Sequence, residues 1–478
     1  MTWLQKITFG LIVLALGACS SDKKSKKQFF HEYYFSPNLF TGYILQDIAC
    51  QRESFGLINL TSTSLYQYDP EIELSSLVSV SLKGLHSSTS LTGDLINRTS
   101  YNLHQKKDCT SSDFGARNCD GAFEAVSPQI DLKVCSLDKT FVRLSIEQVG
   151  LSSVYHLEKA NKFFNILKSP KALAKTFISV LPIIEYVFLD PDTNKPLSLY
   201  TTNQLSYVRT EDNKAGFFIY PQSTDLDPQE KWKNINFWEW DWAISHEFGH
   251  HVLTELTEYI TGEVNLSSEE KNHPKYIAPP IISAKSMKQR QLISFDLIRE
   301  VTKEDIVGAV HEGFADLFGY YSTGGKPNRL KGIQCFAKNR DVSSATFYNN
   351  QPKKLSASVL NTFYSSTHEL SIGDCNDVSF QDIHTIGAII AHSMDRVFKT
   401  KHPNIINRAA LLVKWALRLN YLKNKTLKLE DILADGIYNV STNGVLNEAQ
   451  CAILQEQFPA SYISYWASSA SRTQLTCP

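Results

Sequence analysis

The strongest constraint on the fold of this chain is a pair of histidines, His246 and His250, placed four residues apart with Glu247 beside the first. The surrounding segment has the apolar spacing of an amphipathic helix, and Asp241 stands where an acidic residue can cap its N-terminus. Residues four apart on a helix share one face, so both imidazoles can bind one tetrahedral zinc ion. Glu247 can then reach a zinc-bound water and take its proton. The apolar positions are Trp242, Phe248, Val252 and Leu256.

A second segment predicts a third ligand and so distinguishes a metal site from two surface histidines on an amphipathic helix. Residues 302–321 are predicted to form a helix that ends at the glycine pair following it. On this helix Glu312 and Asp316 lie one turn apart among apolar residues, and buried acids are costly unless they are paired or hold a metal. Glu312 can therefore ligate zinc, and Asp316 can accept a hydrogen bond from His246. The alternative is a solvated acidic face.

The sequence HEFGH followed by an E-x-x-x-D helix resembles the gluzincin metallopeptidases, the thermolysin-like and fungalysin-like group. The resemblance covers about residues 150–400 and is specific at these motifs. It implies a Zn²⁺ cofactor, hydrolysis of peptide bonds by an endopeptidase, and a cleft between a mixed α/β lobe and a helical lobe. It implies that His246, His250 and Glu312 are the zinc ligands and that Glu247 is the general base. It also implies that Asp316 accepts a hydrogen bond from the ligand His246.

Two further sets of site residues depend on the same resemblance. In the thermolysin-like group, a histidine downstream of the third ligand stabilises the transition-state oxyanion and an aspartate orients it. His384 with Asp382 is similar in order and context, although a helix-capping or core histidine is the alternative. The predicted strand 215–220 resembles the edge strand along which such enzymes align extended substrate. Ala215 and Gly216 are therefore candidate substrate-binding residues.

The interval between His250 and Glu312 is longer than is usual in that group, which leaves Glu269 and Glu270 as rival third ligands. Neither rival has an aspartate four residues later, and both lie in a polar, helix-breaking stretch. Glu312 therefore remains the predicted ligand. Residues 262–294 are interpreted as an insertion that can border the cleft.

The first residues have the pattern of an export signal, because Lys6 is followed by a short apolar run. The Leu-Gly-Ala-Cys sequence that ends at Cys19 resembles the bacterial lipoprotein box. It implies a signal peptide at 1–18, acylation of Cys19, and attachment to the membrane through the N-terminal lipid. Ser20 after this cysteine resembles the outer-membrane pattern, so we expect an exported, lipid-anchored protein of the cell envelope. An ordinary cleaved signal or a buried N-terminal helix is the alternative.

The predicted organisation is an α+β fold in four parts. After the signal peptide come the lipidated cysteine and its polar tether at 19–29. A small β-rich N-terminal domain is predicted at 30–147 and a zincin-like metallopeptidase domain at 148–478, with a mixed α/β lobe and a helical C-terminal lobe. The N-terminal domain can be a pro-segment, a spacer or a binding module.

Local patterns support this division into strands and helices. Residues 77–82 alternate apolar and polar, as half-buried strands do, whereas a helix is predicted to start near Ser153. A buried strand is predicted at 183–189. Beyond Asp241 the chain is predicted to be mainly helical, for example at 408–422.

The cysteines predict disulfide bonds. The chain has nine, and removing Cys19 leaves an even number, which in an exported protein suggests pairing rather than buried free thiols. No two stand in a CxxC pair, so a cysteine zinc site is not expected. Clustering favours Cys50–Cys135 or Cys109–Cys119, with Cys335–Cys375 and Cys451–Cys477 later in the chain.

The function predicted from these features is zinc-dependent hydrolysis of peptide bonds in protein or peptide substrates. The alternative is a catalytically silent, metallopeptidase-like binding lipoprotein with a structural metal, and hydrolysis of another kind of bond has no distinguishing feature. The formal net charge of −1 gives no basic field, so a nucleic-acid partner is not expected. The sequence gives no signal for the oligomeric state.

Overall fold

The fold is that of a computed structural model of the chain. The residues it describes are 33–34, 63–69, 74–82, 85–86, 91–104, 125–131, 146–180, 185–189, 196–201, 205–209, 214–219, 237–257, 295–298, 303–327, 338–364, 367–370, 378, 380, 382–419, 428–440, 446–458 and 463.

Strands dominate the described residues before the paired histidines, and helices dominate those after them. The strands are β1 (Tyr33–Tyr34), β2 (Thr63–Asp69), β3 (Leu74–Val80), β4 (Ile96–His104), β5 (Ala125–Asp131), β6 (Thr176–Val180), β7 (Glu185–Leu189), β8 (Pro196–Thr201), β9 (Leu205–Arg209), β10 (Ala215–Ile219), β11 (Phe295–Ile298) and β12 (Thr367–Leu370). The helices are α1 (Ile146–Ile166), α2 (Asp241–Thr257), α3 (Lys303–Ser322), α4 (Ala357–Phe363), α5 (Ile383–Lys401), α6 (Ile405–Arg418), α7 (Leu429–Asn439) and α8 (Glu448–Gln457). The fold is therefore mixed α/β with a mostly helical C-terminal region, in line with the sequence.

The main sheet has the strand order β5-β4-β6-β10-β9. Its three inner strands are parallel, and β5 and β9 pair antiparallel at the two ends. Parallel strands are normally covered by helices, and here α1 packs against β6 while α2 packs against β9. The side chains of Ile178, Val180, Phe217 and Ile219 are buried in the core that these helices share. Smaller sheets are β1-β7-β8, β11-β12 and β2-β3.

The strand predicted to align substrate is not at the edge of this sheet. β10 pairs with β6 on one side and with β9 on the other, so its backbone hydrogen bonds are used within the sheet. The expectation of an edge strand that carries Ala215 and Gly216 is therefore wrong. Gly216 has a packing role instead, since a Cβ there would lie 2.3 Å from the ring of Phe177. Among the described strands, β9 occupies that end of the sheet.

The main sheet also joins segments on both sides of the predicted boundary between 147 and 148. β4 precedes this boundary and pairs in parallel with β6, which follows it. The described strands of the main sheet therefore do not separate there, and the division of the chain into domains stays a prediction.

Helix α3 lies at the centre of the helical region and packs against both α2 and α5. Glycines allow both contacts. A Cβ on Gly249 of α2 would lie 2.8 Å from the Cα of Ala315, and a Cβ on Gly387 of α5 would lie 2.4 Å from the Cβ of Glu312. Contacts this short mean that the helix backbones approach closely at the positions that carry the predicted metal ligands.

The predicted helices are present with shifted ends. The helix expected near Ser153 begins earlier, at Ile146, and the one expected at 408–422 is α6. The helix expected at 302–321 is α3, and it is followed by Gly324 and Gly325 with φ of 82° and 74°. This left-handed conformation is the one in which glycine ends helices.

Several predictions fall outside the described residues, including the signal peptide, Cys19, and the rival ligands Glu269 and Glu270. Cys451 is disulfide-bonded, and its partner also lies outside the described residues, so the pair Cys451–Cys477 stays a prediction. Within the described helices, none is both long enough and apolar enough to cross a membrane.

Because α5 approaches α3 closely at Gly387, a methyl group there should destabilise the fold more than a methyl group at Gly308. We expect Gly387→Ala to lower the free energy of unfolding by about 1–3 kcal/mol, because the added Cβ meets backbone and Cβ atoms of α3. Urea unfolding measures this loss. The control is Gly308→Ala on α3, where the nearest atom is the Cδ1 end of Ile383 at 3.2 Å. Equal effects of the two substitutions would contradict this packing.

Candidate metal centre

Both histidines of the centre project from α2, and the first turn of this helix is held by α1. The carboxylate of Asp241, the first helical residue, accepts a hydrogen bond from Lys159 and lies 3.3 Å from Nδ1 of His156. A carboxylate in the first turn also interacts favourably with the N-terminal end of the helix dipole. Asp241 therefore lies within the first turn and not at the cap position that the sequence suggested, and it ties the metal-site helix to α1.

His246, Glu247 and His250 form a group in one helix that can hold a metal ion. One possible ligand atom from each residue lies within 4.8 Å of the others. His246 is buried, and the other two are partly buried. The Nε2 atoms of the two histidines are 3.2 Å apart. Burial holds the pKa of His250 well below its usual range, and the neutral imidazole is the form that binds a metal.

Helix α3 brings Glu312 against both histidines. Its Oε2 lies 3.4 Å from Nε2 of His246, and its Oε1 lies 3.5 Å from Nε2 of His250. On the same helix the fully buried Asp316 places Oδ1 at 3.0 Å from Nδ1 of His246. An Nδ1–H that donates to a carboxylate leaves Nε2 as the metal-binding atom of that imidazole. The structure thus brings together four of the five residues that the two motifs predicted.

Glu247 turns towards the main sheet. Its Oε2 accepts a hydrogen bond of 2.8 Å from the backbone N–H of Tyr207 on β9. Burial raises the pKa of Glu247 to about 7, and the nearby Glu312 carboxylate acts in the same direction although His246 opposes it. A carboxylate with a pKa near neutrality is suited to accept and return a proton at physiological pH.

His384 and Asp382 lie at the start of α5, on the other side of Glu312. Asp382 is the N-cap of this helix, and its Oδ1 accepts from the backbone N–H of His384 and lies 2.8 Å from the ring Nδ1. The Nε2 of His384 is 3.6 Å from Oε1 of Glu312. Although burial opposes protonation, the carboxylates of Glu312 and Asp382 raise the pKa of His384 to about 9. A protonated imidazole therefore faces the group formed by α2 and α3.

Arg340 is a residue of the centre that the sequence did not indicate. Its Nε lies 3.0 and 2.9 Å from the two carboxylate oxygens of Asp316, and its Nη2 lies 2.8 Å from Oε2 of Glu312. Nη2 is also 3.4 and 3.2 Å from the two ring nitrogens of His246. Arg340 stands in no recognisable motif, and the only signal in the sequence was indirect: two buried acids on α3 require a cation.

His311 is a second residue that the sequence did not indicate. Its ring is stacked on that of His250, and the two Nδ1 atoms are 3.4 Å apart. Burial lowers the pKa of His311 to about 4, so its ring is neutral at pH 7 and can accept a hydrogen bond. His311 thus contacts Nδ1 of His250, as Asp316 contacts Nδ1 of His246. Its position directly before Glu312 was the only signal.

The residues predicted to bind substrate lie elsewhere. Ala215 and Gly216 are on the inner strand β10, and the strand that contacts Glu247 is its neighbour β9, through Tyr207. Any contact of the main sheet with a bound chain beside Glu247 is therefore expected from β9.

No protein-family model, no curated protein and no solved structure matches the chain. Its function therefore has to be inferred from its own residues and their geometry.

The contacts of Asp241 predict a pH-dependent contribution to stability. Although burial opposes ionisation, His156 and Lys159 lower the pKa of Asp241 to about 2, compared with a usual value of 3.8. Because the folded-state pKa is lowered, the contribution is complete above the unfolded pKa and is lost as pH falls from about 4 towards 2. We expect Asp241→Asn to cost about 1–2 kcal/mol at pH 6 in urea unfolding and roughly half as much at pH 3.

The matched control for this prediction is Asp94→Asn, because Asp94 pairs with His86 in an exposed ion pair. Exposed pairs contribute little to stability, so this control should be nearly neutral at both pH values. A loss at Asp241→Asn that stays the same from pH 6 to pH 3 would show that the charge of Asp241 does not stabilise the helix start.

Proposed function

We propose that the chain is a zinc-dependent metallopeptidase whose ligands are His246, His250 and Glu312. The observation that carries this proposal is that the Nε2 atoms of His246 and His250 are 3.2 Å apart, and that the carboxylate of Glu312 places Oε2 at 3.4 Å from the first and Oε1 at 3.5 Å from the second. Tetrahedral zinc with bonds of about 2.0–2.1 Å places its ligand atoms roughly 3.3 Å apart. Two imidazoles and one carboxylate at such separations suit a catalytic zinc site, in which the fourth position is left to water or substrate.

A zinc ion in this site would lower the pKa of a water molecule and polarise the carbonyl of a substrate. Glu247 takes the proton of the attacking water and later delivers it to the leaving amine, and its pKa of about 7 suits both transfers. The protonated ring of His384 donates a hydrogen bond to the oxygen that gains negative charge. Asp382 holds that ring in place from the N-cap of α5.

Peptide substrates are favoured by the position of β9. This strand lies at one end of the main sheet among the described strands, and its Tyr207 contacts the carboxylate of Glu247. An extended peptide that pairs with the end of a sheet has its main chain fixed by hydrogen bonds. We propose that the substrate lies along β9, which brings a peptide bond beside Glu247.

The membrane association proposed for the chain depends on its N-terminal sequence. The cysteine at position 19 follows a short apolar run and the residues Leu-Gly-Ala, as in bacterial lipoproteins. The disulfide bond of Cys451 is of the kind that persists in oxidising compartments. We propose that the peptidase is exported and attached to the cell envelope, in the outer membrane, by lipid on Cys19.

The proposed role of Glu247 predicts a separation of activity from metal binding. In Glu247→Gln we expect the rate of hydrolysis of an unfolded, fluorescently labelled protein to fall by roughly 10²–10⁴, because proton transfer is lost. Zinc content, measured by mass spectrometry, should stay the same because Glu247 is not a ligand in this proposal.

The control is Glu456→Gln, which removes a partly exposed carboxylate paired with Arg396. It should keep both activity and zinc. If Glu247→Gln hydrolysed the substrate as fast as the wild type, the peptidase proposal would fail. A wild type that binds zinc and hydrolyses no peptide would favour the binding-lipoprotein alternative.

A further inference from the structure

One of the charged side chains around α3, that of Arg340, is a permanent cation. Arg340 is about as buried as a core residue, with 5% of its surface exposed. Its guanidinium forms hydrogen bonds with Asp316, which is fully buried, and with Glu312, which is 8% exposed. Arginine keeps its positive charge in proteins at all ordinary pH values. The permanent positive charge of Arg340 is therefore shared between Glu312, a proposed zinc ligand, and Asp316, the carboxylate that contacts the proposed ligand His246.

The guanidinium lies beside the proposed metal-binding atoms without blocking them. Its Nη2 is nearly equidistant from the two ring nitrogens of His246, so it does not approach along the lone pair of Nε2. A carboxylate can accept several hydrogen bonds or ligand bonds at once, so Oε2 of Glu312 can hold Arg340 while the group retains capacity for a metal. The ligands and Arg340 can thus be in place together.

We propose that Arg340 is the counter-cation that keeps the metal centre assembled before zinc binds. This inference rests on the zinc site of the proposed function and adds a role for a residue outside the ligand set. Without Arg340, the two carboxylates on α3 would be buried close together with no fixed positive charge, which is strongly unfavourable. With Arg340, the chain can fold first and take up zinc later into a site that is already formed.

Arg340 and a bound zinc ion would affect each other's binding free energy. Arg340 and zinc are both cations that interact with Glu312, so the presence of one reduces the gain from the other. Loss of Arg340 should therefore harm the zinc-free protein more than the zinc-loaded protein. By linkage, the variant should bind zinc more tightly than the wild type. A purely structural arginine would affect both forms equally and leave zinc affinity unchanged.

The test compares Arg340→Gln with the wild type, both in the full chain, in excess zinc and after removal of zinc with a chelator. We expect the midpoint of urea unfolding to fall much further in the chelated variant than in the zinc-loaded variant. The zinc dissociation constant, measured by competition with a chromophoric chelator, should decrease roughly tenfold or more. Arg340→Lys keeps the positive charge, so its unfolding midpoints and its zinc dissociation constant should lie between those of the wild type and those of Arg340→Gln.

The matched control is Arg408→Gln. Arg408 is equally buried, at 5% exposed, and forms a buried ion pair with Asp395 on α5 instead of with a proposed ligand. Its loss should lower both unfolding midpoints by the same amount and leave zinc affinity unchanged.

Two outcomes separate this inference from the proposed function. A wild type that binds no zinc removes the zinc site and the proposed function with it. A wild type that binds zinc, with Arg340→Gln equally destabilised in both conditions and unchanged in affinity, overturns the role of Arg340 alone. If Arg340→Gln does not fold in either condition, the same comparison on Arg340→Lys decides, and equal losses there also overturn it.

Discussion

The structure of the centre depends on two carboxylates, Glu312 and Asp316, which lie one turn apart on a helix that is packed between α2, α5 and α6. Burial of two acids is unfavourable unless cations or hydrogen-bond donors surround them. The chain supplies these from three separate segments, because His246 comes from α2, Arg340 from the stretch before α4, and His384 from α5. The electrostatic requirement of α3 therefore selects the same side chains that can position a metal ion.

Close helix packing turns this requirement into a defined geometry. Gly249 and Gly387 let α2 and α5 approach α3 at the positions of Ala315 and Glu312, where larger residues would meet backbone or Cβ atoms. Tight cores have few alternative arrangements, so the ligand atoms are held at nearly fixed separations. In the main sheet, the backbone N–H of Tyr207 on β9 donates a hydrogen bond to the carboxylate of Glu247 and so holds it in place. Such preorganisation is what a catalytic site requires.

Features set by local helix periodicity could be predicted from the sequence. The spacing of His246 and His250 indicated a shared helix face, and the spacing of Glu312 and Asp316 indicated a shared face of α3. Arg340 and Tyr207 could not be found in this way, because their contacts depend on how distant segments pack. The error for β10 has the same origin, since the order of strands in a sheet is set by long-range pairing that no local pattern encodes. The helical C-terminal region was clear because amphipathic spacing is local.

The proposed zinc ion, held by two histidines and Glu312, is tested most directly by zinc content and zinc K-edge X-ray absorption of the purified chain. We expect close to one zinc per chain, bound only by nitrogen and oxygen atoms at about 2.0–2.1 Å, and a sharp loss of zinc in Glu312→Ala. Three results would contradict this zinc site: sulfur ligands, unchanged zinc in Glu312→Ala, or folded wild-type protein that binds no zinc although never exposed to a chelator.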